Sequence, residues 1–164
     1  MNWDQIVHEN APGMLRLAKR ILGSSSDAEE VVQDAFLNAY RFEQRQVVRN
    51  WGGLLRRLVT RASLDCLRRA RATARLDAAR LVSTAADPAD LASSREIAER
   101  LRGEIARLPR QQATVFCLFC FDAMSHQAIA EALNIRTGAV ATALHKARKR
   151  LASALTRPMK MTGE

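Results

Sequence analysis

Glu30, Gln33, Asp34 and Arg41 gather around Leu37 at helical spacing within the stretch Asp27 to Arg41, DAEEVVQDAFLNAYR. Set on a helix at about 100° per residue, they share one side, and Ala28, Val31, Val32, Ala35, Phe36 and Ala39 fall on the other. The second side is a core stripe. The first carries acids, an amide and a guanidinium around a large aliphatic, which is more specific than solvation requires, although one exposed leucine is ordinary. Such a face, with no nucleophile set beside a base, binds rather than catalyses. It suits a basic partner.

Two further sets point to nucleic acid. Arg57, Arg61 and Arg68 fall in a narrow stripe of a helix starting near Trp51, with Arg69 and Arg71 extending its basic end. Aligned guanidinium groups suit a phosphate backbone. The preceding loop, Glu43 to Asn50, offers Gln44, Arg45, Gln46, Arg49 and Asn50, whose amide and guanidinium groups can hydrogen-bond base edges in unpaired DNA. Residues 125–151, SHQAIAEALNIRTGAVATALHKARKRL, have the layout of a helix-turn-helix. Ile129, Ala130 and Leu133 face inward, Asn134 tolerates the left-handed turn, and Val140, Leu144, Ala147 and Leu151 line the inner side of the second helix. That helix exposes Thr142, His145, Lys146 and Lys149, with Arg148 and Arg150 on its flanks, a surface suited to a major groove. On these residues alone, a solvated basic helix and a plain helical hairpin stay open as readings.

The elements that must hold these groups are all helices. Alanine, leucine and arginine dominate, and no alternating run predicts a strand. A first helix is expected from Trp3 to Leu22, broken near Pro12-Gly13 and ended by Gly23. A Ser26–Glu29 capping box would start the second, 27–42, and the third should span 51–71. Residues 72–94, with STAADPAD and Pro88, read as a flexible linker. Ser94 would cap a helix over 95–107, Pro109 would open one over 110–121, and Ser125 would cap a short one ending at Leu133. The last would run from Thr137 to Leu155, leaving 156–164 as a tail. The expected fold is all-α, with two small helical domains, 1–71 and 95–155, on either side of the linker.

Composition agrees. The 164 residues carry a net charge of +9 and a pI of about 10.7, which favours a polyanionic partner. Residues 1–71 contribute +4, 72–100 contribute −1 and 101–164 contribute +6, so two basic blocks predict two contacts. No apolar run approaches the roughly 20 residues of a membrane span, so no membrane insertion is expected, and the N-terminus lacks the pattern of a signal peptide. Three cysteines, an odd number, favour a reducing compartment, the cytoplasm, over a disulfide framework.

Together, LRLAKRILGSSSDAEEVVQDAFLNAYR, NWGGLLRRLVTRASLDCLRRAR and LPRQQATVFCLFCFDAMSHQAIAEALNIRTGAVATALHKARKRL resemble the bacterial RNA polymerase sigma factors of the extracytoplasmic-function (ECF) type, in the sigma-70 family. The resemblance covers about residues 10–71 and 97–155. It implies a sigma-2-like bundle, which docks on the clamp helices of the β′ subunit of core RNA polymerase and engages the −10 element. It also implies a sigma-4-like helix-turn-helix that reads the −35 element. Asp27, Gln33, Asp34, Leu37 and Arg41 match the polymerase-facing positions. Trp51 and the Asp65–Arg69 run, which includes Arg68 and Arg69, match the end of the −10 region. The Gln44–Asn50 loop corresponds to the one that captures an unstacked base. An anti-sigma factor is a further implied partner.

The chain departs from the pattern at four places. Ala113 stands where an arginine is usual, and Gln127-Ala128 where an acidic pair is usual. Ala141 and Ala143 replace cations of the recognition helix, and Arg136 replaces a small cap, which shifts capping to Thr137. Fewer phosphate anchors imply weaker −35 binding, by about 1 kcal/mol each.

Cys117 and Cys120 form a C-x-x-C inside the apolar run VFCLFCF, with no second pair and only His126 nearby. Structural zinc needs about four ligands, so these cysteines read as small apolar residues, and neither metal nor cofactor is expected. The helix carrying them is apolar nearly all round, so either the domain wraps it or part of it meets a partner such as an anti-sigma protein. His8 and His145 lack acid–base partners, and the chain is not expected to be an enzyme. Two rival readings remain: a stand-alone helix-turn-helix regulator whose first half dimerises, and a helical interaction or redox/metal-sensor module.

Overall fold

A computed structural model describes residues 2–78 and 89–157. Seven helices account for nearly all of them, with no strand among the described residues: α1 Trp3–Leu22, α2 Ser25–Glu43, α3 Trp51–Ala78, α4 Ala89–Arg107, α5 Arg110–Cys120, α6 His126–Leu133 and α7 Thr137–Thr156. The central part of the expected linker and most of the expected tail lie outside the described residues.

The first half is a three-helix bundle. Met14, Leu17, Ala18 and Ile21 of α1 meet the expected stripe of α2, all six of whose residues are buried. Each large aliphatic removed from water contributes on the order of 1.5–3 kcal/mol. That driving force explains why α1 runs unbroken through Pro12, against the expected break. One straight helix buries Ile6 together with the four later residues, and Pro12 lies on the exposed side, where its missing N–H is tolerated.

Gly23 ends α1 in the left-handed conformation at φ 69°, with its N–H on the Lys19 carbonyl. The extended residue immediately after it, Ser24, caps α2 by accepting from the Asp27 N–H at 3.3 Å. The Ser26–Glu29 box is therefore not used. Once Gly23 has turned the chain, the first serine is already placed to cap, and Ser25 and Ser26 join the first turn.

Two boundaries around the linker also move. Helix α3 continues to Ala78 and α4 begins at Ala89, so Ser94 lies inside a helix and caps nothing. Small residues suggested a linker, yet alanine, arginine and leucine are strong helix formers, and no breaker precedes Pro88.

The second half wraps α5. Val115, Phe116, Cys117 and Leu118 are buried, which answers why that helix is apolar nearly all round. The two halves pack against each other. Helix α3 packs on α1 and α2 along one side and on α4, α5 and α6 along the other, and a single apolar cluster runs through both halves. Leu54, Leu55 and Val59 of α3 are accordingly more buried than Trp51 and Leu58.

Candidate functional site

Helix α2 leaves its outward face bare. Glu30, Gln33, Asp34 and Arg41 are exposed, Leu37 is 53% exposed and the adjoining Tyr40 47%, whereas Asp27, at the start of the helix, is half-buried. Tyr40 was missed because its ring belongs to an edge-to-face cluster that forms only in three dimensions. Trp3 contacts Phe36, Tyr40 and Trp51, with ring centroids 6.3, 5.4 and 5.5 Å away. Trp51 thus anchors the start of α3 to α1, which fixes the loop before it relative to the α2 face.

In that loop Gln44, Arg45, Gln46 and Arg49 are exposed, and Val47 stands 90% exposed at its tip. Asn50 has a structural task as well. Its Oδ1 accepts from the Gly53 N–H at 2.8 Å, capping α3. Sequence reading had cast it only as a base-contacting amide, but its acceptor is committed to the helix.

The arginine stripe of α3 divides. Arg61 and Arg69 are exposed, whereas Arg57 is half-buried with its Nε lacking a hydrogen-bond partner. Burial, and to a smaller degree the nearby Arg61 cation, holds the Arg57 guanidinium below its usual range. Arg68 is half-buried and partly engaged within the chain. Its Nε and Nη2 donate to the Ala106 and Leu108 carbonyls at the end of α4, both at 3.1 Å. The physical reason is the unsatisfied carbonyls at a helix C-terminus, which attract a cation.

The helix-turn-helix is close to expectation. Ser125 caps α6 by accepting from the Ala128 N–H at 3.1 Å, and Asn134 makes the turn at φ 54°, ψ 49°. Val140, Leu144, Ala147 and Leu151 are buried, and Thr142, His145, Lys146, Lys149 and Arg150 are exposed. Three details differ. Arg136 is the N-cap residue of α7 without any side-chain cap bond, and Thr137 is the first helical residue rather than the cap. The Thr142 hydroxyl donates back to the Gly138 carbonyl at 2.9 Å. Arg148 lies 5.0 Å over the Phe119 ring, which stacks near His126, so it is oriented by a cation–π contact.

Cys117 is buried, Cys66 half-buried and Cys120 exposed, so only Cys117 acts as the expected buried apolar residue. Among the described residues no three histidine, cysteine or carboxylate side chains cluster to hold a metal. No helix of the described residues is long and apolar enough to cross a membrane.

Comparison with known proteins matches the chain to one family. Residues 6–73 match the model of Sigma-70 region 2, and residues 98–151 match that of Sigma-70, region 4. The ECF RNA polymerase sigma factor SigE of Mycolicibacterium smegmatis is 26% identical over 168 residues, covering 99% of this chain and 65% of that one. The ECF RNA polymerase sigma factor SigW of Bacillus subtilis is 30% identical over 148 residues, covering 83% of this chain and 79% of that one. Among solved structures, the sigma factor RpoE in complex with the anti-sigma factor NepR from Bartonella quintana shares the fold, with a TM-score of 0.54 at 20% identity, over 93% of this chain and 95% of that one. With both regions matched in order along one chain, and a relative 30% identical over most of its length, this protein belongs to the ECF RNA polymerase sigma factors.

Proposed function

We propose that this chain binds core RNA polymerase and directs it to promoters, acting in the cytoplasm as an initiation factor without enzymatic activity of its own. One observation carries the reading: α2 exposes Leu37 at its centre, ringed by Glu30, Gln33, Asp34 and Arg41, on a helix whose other side is fully committed to the core. The clamp helices of β′ are the partner that this surface would meet, with Asp27 at its edge. Docking there would bring the loop carrying Gln44, Arg45 and Asn50, together with Trp51, Arg57, Arg61, Arg68 and Arg69, to the −10 element. Arg136, Thr137, Thr142, His145, Lys146, Arg148 and Lys149 would meet the −35 element. Unstacking each promoter base costs a few kcal/mol, which contacts to the trapped base offset. An anti-sigma factor is a further partner of the same reading.

The test is transcription in vitro from genomic promoter fragments by core polymerase with and without the chain. Specific initiation only in its presence is expected. The double variant Asp34→Arg/Leu37→Ala should lose polymerase binding while retaining its helical content and melting transition. Unchanged polymerase affinity in that variant would overturn the docking face. Tight duplex binding without any effect of polymerase would favour a stand-alone regulator instead.

A further inference from the structure

An arginine-lined cleft of about 830 Å³ runs between the second half of α3 and α4, with Leu22 of α1 and Asp27 of α2 also on its wall. Pockets that hold small molecules span about 300–1,000 Å³. Leu67, Ala70, Ala74 and Ala106 make part of the lining apolar, and Gly103 brings the α4 backbone to its surface. Residues this small leave room for a flat ring between the two helices.

Two arginines of the lining are tied to helix ends. Arg68 donates to the end of α4, and Arg100 donates from Nη2 to the Ala154 and Arg157 carbonyls at the end of α7. Three others keep free donors. Arg71 donates from Nη2 to the Glu99 carbonyl at 2.7 Å, but its Nε is shut off from solvent and has no hydrogen-bond partner. A buried donor left unpaired costs about 1–3 kcal/mol, so it calls for an acceptor. Arg75 is exposed and has no partner among the described residues, and Arg107, also exposed, meets Glu104 at 3.8 Å. The two helices run antiparallel here, since Arg68 meets Ala106 and Leu108 while Arg71 meets Glu99. Arg107, Arg71 and Arg75 therefore follow one another along the cleft. Donors set in a row suit a chain of phosphates better than a single oxoanion. The acids of the lining do not cancel them. Glu99 is already 4.0 Å from Arg71 and 3.8 Å from Arg102, and Asp27 acts on Cys66, roughly 13 Å of helix rise from Arg75.

We infer that the cleft between α3 and α4 is a binding site for a nucleoside polyphosphate. Arg71 and Arg75 hold the phosphate chain, and the base lies among the small residues beside Arg107, whose planar guanidinium can stack on it. The site goes beyond the function proposed above, and Arg75 and Arg107 belong to none of the surfaces assigned there.

Fluorescently labelled ATP, titrated with the full chain and followed by anisotropy, provides the test. Saturable binding that unlabelled ATP reverses is expected, with adenosine and pyrophosphate each competing less well because each keeps only part of the contacts. Gly103→Ala removes no charge and improves helix propensity, but its Cβ would overlap the Arg71 guanidinium and push it aside. It should weaken ATP binding about tenfold, as should Arg75→Gln/Arg107→Gln. Arg16→Gln/Lys146→Gln removes the same charge from exposed positions outside the cleft and should stay within about twofold of the parent. Circular dichroism melting checks that every variant is folded. Equal losses in the two double variants would mean that net charge alone attracts the nucleotide, and would overturn the inference. Unchanged binding in Gly103→Ala would overturn it as well, as would the lack of any saturable binding by the parent. Pyrophosphate competing as well as ATP would do the same, since a general anion patch would then suffice.

Discussion

Cys117 and Cys120 are three residues apart on α5 and live in different surroundings. Burial pushes the Cys117 thiol far above its ordinary value, with the neighbouring Cys120 adding to the effect. Burial also raises Cys120, but the Arg148 cation opposes it there, and the side chain reaches solvent. Since the thiolate is the reactive form, iodoacetamide at neutral pH should label native protein at Cys120 and reach Cys117 only on unfolding. Mass spectrometry of the labelled peptides checks this, and equal labelling of both in the native state would contradict the burial. The same shift has a consequence for stability. The unfolded Cys117 ionises near 9.0, while the folded thiol keeps its proton well beyond that pH. The unfolded state therefore binds fewer protons, and the Cys117 contribution to stability, intact below pH 9.0, fades as pH rises through that region and beyond. Cys117→Ala should flatten this alkaline decline in urea titrations. The sequence made the apolar character of the pair legible through the run VFCLFCF, but not which cysteine faces out, because α5 is apolar on nearly every side.

Helix α2 shows which part of an element can be read from its sequence. All six residues of its core stripe are buried as periodicity predicts, and its outward face is open. Its start was not legible. Three consecutive serines can each cap, and only the left-handed Gly23 decides among them by fixing where the chain turns. Ser24→Ala should therefore cost about 1 kcal/mol, the usual price of a lost cap, while Ser26→Ala should stay within about 0.5 kcal/mol of the parent. Urea unfolding monitored by circular dichroism separates the two. A larger loss from Ser26→Ala would restore the capping box. The opposite kind of miss occurs at α3 and α4. Their helical ends, 72–78 and 89–94, were assigned to a linker because small residues obscure amphipathic periodicity even where propensity favours a helix.

At the scale of the whole molecule, charge and packing pull in different directions. Both halves are basic, at +4 for residues 1–71 and +6 for residues 101–164, so at long range they repel. This much was legible. The polar contacts that oppose the repulsion were not, because Arg20 and Arg102 look like ordinary surface cations until helix C-termini of the other half are brought beside them, and Arg56 until the Asp122 carboxylate is. The two effects have different ranges, and salt distinguishes them. Donor–acceptor contacts near 3 Å, such as those of Arg68 and Arg102, are shorter than any screening length in ordinary buffer and are partly shielded from ions. The repulsion between basic surfaces acts across tens of ångströms at low salt and fades as the screening length falls from about 30 Å at 0.01 M to about 10 Å at 0.1 M. Over that interval repulsion weakens much more than these short contacts do. The free chain should therefore become more compact, or stay equally compact, as salt is raised. Scattering across the series checks this, and a radius that grows with salt would mean that the halves are held by long-range attraction rather than by the short arginine contacts.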